Sequence, residues 1–235
     1  MSLLEIRNLK ASHGLLVALH DVSFVMKSGD ILAIIGANGA GKTTLMRSIA
    51  GAHPPAQGHI LFQGEDITPL PAHKRVRCGI ALVPEGRRLF PGMSVQDTLR
   101  LAACRKGIWT FDTVLEALPQ LKPILKRSAG HLSGGQQQAV AIGRALMTNP
   151  ELLLLDELSL GLSPVAVEGV YEAIPKLTAA GTSLILVEQD LRRAMASATH
   201  VMCMLEGHVV LSGRAGELTR EAVMDAYFGL NRDAA

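Results

Sequence analysis

Apolar residues along the chain follow two periods, which predict strands in some segments and helices in others. Residues 3–9 and 17–26 alternate apolar with polar positions, as half-buried strands do. Continuous apolar runs have the length of strands buried on both faces. These runs span residues 31–35, 80–83, 152–155 and 183–187. Helical spacing separates them, so we expect an α/β fold with a mostly parallel sheet and an antiparallel β-rich edge.

The middle of the chain has a different pattern. Between residues 87 and 140 the strand-like runs disappear and apolar residues recur at helical spacing, with Ser94 as an expected N-cap before Asp97. We therefore expect one domain over residues 1–235, with a helical subdomain inserted at 87–140. A helix beginning at Pro164 is expected to run to about Thr178, with its last turn distorted by Pro175.

A glycine-rich loop joins the apolar run at residues 31–35 to a helical segment. It matches the pattern G-x-x-x-x-G-K-[ST]. Glycines let backbone N–H groups converge on one point, and the helix start adds further donors and a partial positive charge. We expect Lys42 to reach the outer phosphates of a nucleotide and Thr43 to offer its hydroxyl to Mg²⁺. The expected nucleotide contacts are Gly36, Asn38, Gly39, Gly41, Lys42, Thr43 and Thr44.

Two carboxylates follow the apolar run at residues 152–155. In an open α/β sheet ligands bind at the carboxyl ends of the strands, so both acids are expected at the ligand edge. Asp156 is placed to bind Mg²⁺, directly or through water. The side chain of Glu157 points the other way, and a carboxylate there is suited to orient and deprotonate an attacking water molecule.

The sequence L-S-G-G-Q opens a second helix that offers backbone donors and a hydroxyl with no phosphate of its own. The simplest interpretation is that this helix start binds the γ-phosphate of a nucleotide held by another subunit. The residues expected to make these contacts are Ser133, Gly134, Gly135 and Gln136.

Composition limits the possible partners. The 235 residues include 23 basic and 21 acidic ones, so a formal charge of +2 attracts no polyanion over long range. The basic run at residues 73–77 has no aromatic residues between its charges, which favours a solvated helix face over nucleic-acid contact. Charges at Glu5 and Arg7 argue against a secretory signal, and no apolar stretch approaches the roughly 18 residues that span a bilayer.

The glycine-rich loop, the L-S-G-G-Q segment and the acidic strand end follow one another along the chain as in the ATPase subunits of ABC transporters, which they resemble. The resemblance covers essentially the whole chain. The resemblance implies a P-loop NTPase (RecA-like) fold with ATP and Mg²⁺ as ligands. The family's Walker A motif corresponds to residues 36–43, its signature to 132–136 and its Walker B motif to 152–156, followed by the catalytic Glu157.

Several positions depart from the general family pattern, and three of them concern the nucleotide or its metal. The aromatic residue that stacks on adenine corresponds to His13. Two interpretations of His13 stay open, a solvated histidine in a loop and a residue that contacts adenine. The usual glutamine near the metal corresponds to Glu85, which a site would tolerate through metal or arginine contact. The usual switch histidine corresponds to Gln189, which can hydrogen-bond a γ-phosphate but cannot carry a proton.

Within the family, the segments V-P-E-G-R, L-S-G-G-Q-Q-Q, S-L-G-L and V-E-Q are similar to one ATPase of bacterial branched-chain amino acid importers. That resemblance implies ATP-driven uptake of hydrophobic amino acids at the cytoplasmic face of the inner membrane. Its implied partners are two membrane permease subunits, an external substrate-binding protein and a second ATPase. The ATPases would pair as a homodimer in isolation and as a heterodimer with a related chain in the transporter.

A soluble ABC-type ATPase acting on nucleic acid or ribosomes is the alternative. Such proteins usually carry long coiled coils, zinc-binding cysteines or a second cassette, and the sequence has none of these. Transport is therefore the leading interpretation.

Overall fold

The computed structural model describes residues 2–230, and these form strands and helices in alternation. The strands are β1 (Ser2–His13), β2 (Leu16–Lys27), β3 (Ile31–Ile35), β4 (Gln57–Phe62), β5 (Glu65–Asp66), β6 (Ile80–Val83), β7 (Leu152–Asp156), β8 (Ser183–Glu188), β9 (His200–Leu205) and β10 (His208–Arg214). The α-helices are α1 (Lys42–Ile49), α2 (Ala72–Cys78), α3 (Val95–Ala102), α4 (Phe111–Ala117), α5 (Gly134–Leu146), α6 (Pro164–Tyr171), α7 (Ile174–Ala179), α8 (Leu191–Ser197) and α9 (Arg220–Phe228). Two 3₁₀ turns lie at Pro119–Ile124 and Ala129–His131.

The chain forms two compact units, one of which contains the residues before Val76 and after Ser183. In this unit β2, β1, β4 and β5 form an antiparallel sheet in that order. Strand β3 pairs in parallel with β8 and β9, and β10 closes this group as an antiparallel neighbour of β9. Ile35 lies opposite Glu188 in the register, so the loop after β3 and the loop after β8 leave the same sheet edge.

The other unit, Val76–Ser183, contains the parallel pair β6 and β7 and the helices α3 to α7. All five residues of β7 are buried, as its continuous apolar run predicts. Gly143 of α5 lies so close to Leu99 and Val114 that an added Cβ would approach both within 3.3 Å. The helices of this unit therefore pack tightly around α5.

The predicted α/β fold is confirmed, with an antiparallel sheet beside a mostly parallel one. Helices α3 and α4, the two 3₁₀ turns and the first half of α5 fall within residues 87–140. Ser94 caps α3 by accepting a hydrogen bond from the Asp97 N–H at 3.1 Å. A single domain with an inserted subdomain at 87–140 stays a prediction.

The prediction of one continuous helix from Pro164 to about Thr178 is wrong. The structure ends α6 at Tyr171 and begins α7 at Ile174. Pro175 has no N–H to donate, and its ring would clash with the carbonyl four residues earlier, which belongs to Tyr171. The helix therefore ends one turn before Pro175, whereas the sequence predicted a continuous helix with a distorted last turn.

Candidate active site

The first helix of the phosphate-binding pattern, α1, begins without a side-chain cap. Its N-cap is Gly41, which adopts a left-handed backbone with φ of 97° and offers no side chain to the first turn. The first N–H groups of a helix have no intrahelical partner. An uncapped start that carries the partial positive charge of the helix is suited to bind an anion.

Neighbouring backbone segments fix the glycine-rich loop before α1. A Cβ on Gly36 would collide with the Met204 carbonyl, and a Cβ on Gly41 would lie 2.5 Å from the Ala18 carbonyl oxygen. The N–H of Gly207, in the β9–β10 turn, donates to the Ala40 carbonyl at 3.1 Å. Gly39 has a φ of 85° and open space around its Cβ position. The loop is thus packed from behind and open at Gly39.

The predicted phosphate-binding lysine lies inside this loop. Lys42 is 4% exposed, and its Nζ donates to the Gly36 carbonyl at 2.6 Å and the Ala37 carbonyl at 2.9 Å. A buried ammonium group must be hydrogen-bonded to offset its lost hydration. The loop's own carbonyls therefore hold the positive charge at the position where phosphate oxygens are expected.

The opposite end of α1 contacts an arginine that the sequence placed on a solvated face. Arg75 is 1% exposed, and its Nη1 donates to the carbonyls of Ser48 at 2.6 Å and Ile49 at 3.0 Å. The prediction of a solvated face for residues 73–77 is therefore wrong at Arg75, because a cation at a helix C-terminus binds the last carbonyls and their negative partial charge.

The switch position contacts the same loop. Gln189 follows β8 at the shared sheet edge, and its Nε2 donates to Asn38 Oδ1 at 3.2 Å. This unit thus brings together Asn38, Lys42 and Gln189, three of the predicted site residues. An amide in this place is suited to hydrogen-bond a phosphate oxygen.

His13 ends β1 and shares a hydrogen bond with Thr44 of α1, the Nε2 to Oγ1 distance being 3.1 Å. Its ring also contacts the ring of His53, with centroids 4.5 Å apart. His13 is therefore attached to the phosphate-binding helix, a contact that a fully solvated loop histidine would lack. Its contact with adenine stays a prediction.

The predicted carboxylates lie at the carboxyl edge of the β6–β7 pair. Asp156 ends β7 and is 2% exposed, and Glu157 adopts a left-handed φ of 51°. Such a backbone costs about 1–3 kcal/mol for a residue with a Cβ, and strain of this kind clusters at active sites. Glu85 lies in the exposed turn after β6, whose last residue pairs with Leu155.

The signature segment forms the start of α5. Ser133 is the N-cap and forms a capping box: its Oγ accepts from the Gln136 N–H at 3.4 Å, and Gln136 Oε1 accepts from the Ser133 N–H at 3.1 Å. Gly135 is packed so closely against α6 that an added Cβ would lie 2.5 Å from the Ala166 Cβ. A cleft of about 400 Å³ between these two helices is lined by Ser133, Gly135 and Gln136.

A pair of arginines that the sequence did not single out makes contacts beside this segment. Arg87 has a φ of 62°, and its guanidinium donates to Gln138 at 3.2 Å and Gln137 at 3.3 Å, both on α5. Arg144, also on α5, donates to the carbonyls of Arg88 at 2.8 Å and Arg87 at 3.0 Å. Burial lowers the pKa of Arg144 from its ordinary value. Arg144 interrupts the apolar stripe of α5, and this feature of the sequence could have indicated a buried contact.

The predicted metal ligands Thr43 and Asp156 offer hard oxygen atoms, and their binding of a metal stays a prediction. They fit Mg²⁺, which is commonly held by one or two protein oxygens together with substrate phosphates. Within residues 2–230 no group of three or more His, Cys, Asp or Glu side chains could hold a metal, so a site made of protein ligands alone is not found there. No helix in the same range is long and apolar enough to cross a bilayer.

Comparisons with known proteins identify the family of the chain. The family model described as "ABC transporter" matches residues 19–159. The high-affinity branched-chain amino acid transport ATP-binding protein BraG of Pseudomonas aeruginosa is 42% identical over 92% of this chain and 95% of its own. A probable branched-chain amino acid transport ATP-binding protein, LivF of Archaeoglobus fulgidus, is 35% identical over 89% of this chain and 91% of its own.

Solved structures share the fold. A crystal structure of the ADP conformation of an ATP-binding cassette of an ABC transporter superposes with a TM-score of 0.84, at 29% identity, over 97% of this chain and 99% of that one. A nucleotide-free cassette gives a TM-score of 0.83, at 28% identity, over 96% and 95% of the two chains. The chain belongs to the ABC transporter family, as an ATP-binding domain.

Proposed function

We propose that this chain is the ATP-hydrolysing subunit of an importer for branched-chain or other hydrophobic amino acids. The observation that carries ATP binding is the uncapped start of α1, with Lys42 buried in the loop before it. The solute class is supported by relatives that are 42% and 35% identical and named as branched-chain amino acid transport ATP-binding proteins. No observation favours the alternative, action on nucleic acid or ribosomes.

The nucleotide phosphates bind at the start of α1. The backbone N–H groups of the loop and Lys42 bind phosphate oxygens, and Lys42 exchanges its bonds to the loop carbonyls for bonds to the ligand. Ammonium–phosphate contacts are charge-assisted and so are stronger than the neutral bonds they replace. Thr43, Asp156 and Glu85 would hold Mg²⁺ through their side-chain oxygen atoms. When bound, the ion would supply positive charge against the charge that develops on the phosphates.

Glu157 acts as the general base that orients and deprotonates the attacking water. Its left-handed backbone, with φ of 51°, supports this role because backbone strain of this kind clusters at active sites. Gln189 hydrogen-bonds a γ-phosphate oxygen and stays neutral, so Glu157 takes the proton alone. His13 contacts the adenine ring.

Hydrolysis requires a second ATPase. The start of α5, with Ser133, Gly134, Gly135 and Gln136, binds the γ-phosphate of a nucleotide held by the partner. The chain pairs with itself in isolation and with a related ATPase in the transporter. It lies at the cytoplasmic face of the bacterial inner membrane, beneath two permease subunits that receive solute from an external binding protein.

Glu157→Gln tests the catalytic assignment. Because general-base catalysis contributes about 10²- to 10⁴-fold, we expect ATPase activity to fall by that factor while ATP binding is retained. The variant should also accumulate as an ATP-bound dimer on size-exclusion chromatography with MgATP. Glu168→Gln, an exposed carboxylate on α6, is the matched control and should keep full activity. Full turnover in Glu157→Gln would remove Glu157 from the role of base.

The solute class is tested separately. The chain is assembled with its permease subunits and binding protein in vesicles, and ATPase activity is measured with individual amino acids. We expect stimulation by branched-chain or other hydrophobic amino acids and none by charged ones. Stimulation by nucleic acid, with no response to amino acids, would favour the alternative function.

A further inference from the structure

A second histidine lies beside the residue proposed to contact adenine. The rings of His13 and His53 have centroids 4.5 Å apart and are tilted by 40°. Separations of about 4.5–7 Å with tilted or offset planes are typical of paired aromatic rings. The two residues are 40 positions apart in the chain, so only the fold brings the rings together.

Ring packing, and not a hydrogen bond from Nε2, holds His53 in this place. Its Nε2 is buried and has no hydrogen-bond partner within the described part of the chain. A buried polar atom without a partner is unfavourable, so this orientation must be stabilised by something else. The His53 N–H donates to the Arg47 carbonyl at 3.2 Å, which ties its backbone to α1. Pro54 restricts the His53 backbone to extended conformations. The backbone hydrogen bond to α1 and the packing on His13 both favour this direction of the imidazole.

His13 has contacts on two sides and is otherwise open. Thr44, which is 8% exposed, shares a hydrogen bond with its Nε2, and His53 packs against its ring. The following residues, Leu15 and Leu16, are exposed at the tip of the β1–β2 hairpin. Thr44 and His53 therefore both restrict how the His13 ring is oriented.

We propose that His53 is a positioning residue that holds the His13 imidazole in place to stack on the purine base of the nucleotide. An imidazole presents less surface than a tyrosine or tryptophan ring, so its stacking depends more on being held in one orientation. The ring of His53 provides that support from the C-terminal end of α1, where its N–H donates to the Arg47 carbonyl. This inference rests on the proposed function, since it assigns a further residue to the same nucleotide site.

The test compares a nucleotide that has a purine base with a ligand that has none. We expect His53→Ala to bind MgATP about 3- to 10-fold more weakly in the full-length protein, measured by titration calorimetry. Affinity for magnesium triphosphate, which lacks the base, should stay unchanged. An equal loss for both ligands would overturn the proposal, because general damage to the loop would then be the cause. Unchanged ATP affinity would overturn it as well.

Two further variants distinguish positioning from other roles. His53→Phe keeps a ring and removes the buried nitrogen. This variant should remain folded and retain ATP affinity within about 2-fold. Weaker binding would mean that the nitrogen itself is needed. In a His13→Tyr background the larger ring needs less support, and adding His53→Ala should then have little effect on ATP affinity.

His59→Ala is a control. His59 pairs with Asp66 on the neighbouring strand β5, so its removal should leave ATP affinity unchanged.

These outcomes separate the inference from the function on which it rests. If the unaltered protein binds neither ATP nor triphosphate, the proposed function fails. If it binds ATP and His53→Ala binds equally well, the function stands and the positioning role fails.

Discussion

Helices α1 and α5 both begin at glycine-rich motifs, yet their first turns are prepared in different ways. The start of α1 has Gly41 as N-cap and no side-chain cap. The start of α5 has Ser133 as N-cap, and the Ser133–Gln136 capping box already satisfies two N–H groups. Under the proposed function, a phosphate would meet no side-chain cap at the first helix, whereas it would have to displace the Ser133 cap at the second.

The supports behind the two starts differ as well. Backbone atoms hold the loop before α1, through the Met204 carbonyl behind Gly36 and the Gly207 N–H on Ala40. Side chains hold the start of α5, chiefly Arg87 on Gln137 and Gln138. Side-chain hydrogen bonds rearrange more easily than packed backbone. Under the proposed function, we expect the α1 site to bind nucleotide by itself and the α5 site to contribute only with a partner's nucleotide.

The largest expected effect concerns α1. Lys42→Ala should weaken ATP binding at least about 100-fold, because a hydrogen bond to a charged group contributes about 1.5–3 kcal/mol and the lysine reaches two phosphates. Titration calorimetry of the isolated protein measures this directly. Lys74→Ala, which removes an exposed lysine of α2, should bind ATP normally. If Lys42→Ala bound ATP as tightly as the unaltered protein, the uncapped helix start would not depend on its lysine.

An intermediate effect separates two adjacent glycines of α5. Gly135→Ala should lower the free energy of unfolding by about 1–3 kcal/mol, because its Cβ would collide with Ala166 of α6. Gly134→Ala is the matched control, since its Cβ would meet Arg87 and Leu162 at 3.4 Å, an ordinary contact. Urea unfolding of both variants measures the difference. Equal stabilities would mean that Gly135 is not needed for the packing of α5 on α6.

The smallest effect tests the cap of α5. Ser133→Ala should lower stability by about 1 kcal/mol, the usual cost of losing an N-cap hydroxyl, and should also reduce the ATPase activity of the dimer. Ser94→Ala removes the comparable cap of α3 and should cost similar stability without changing ATPase activity. Thermal unfolding and steady-state ATPase assays on both variants provide the comparison. Equal activities would limit Ser133 to a capping role.

Motifs formed by neighbouring residues could be predicted from the sequence. The loop from Gly36 to Thr43, the strand ending at Asp156 and the cap at Ser94 all depend on local backbone preferences and on the period of apolar positions. Pro175 shows the limit of that reasoning. Its effect on the helix was expected, but the break lies four residues earlier because the clash is with a carbonyl of the preceding turn.

The sequence by itself determined the family, the α/β order of elements and the nucleotide motifs, because each of these is written in contiguous residues. Only the tertiary structure decided that Arg75 is buried at the end of α1, that His53 packs on His13 and that Arg144 binds the Arg87 turn. These contacts join residues 27, 40 and 57 positions apart. No local period encodes such separations, since they depend on which surfaces the folded sheets and helices bring together.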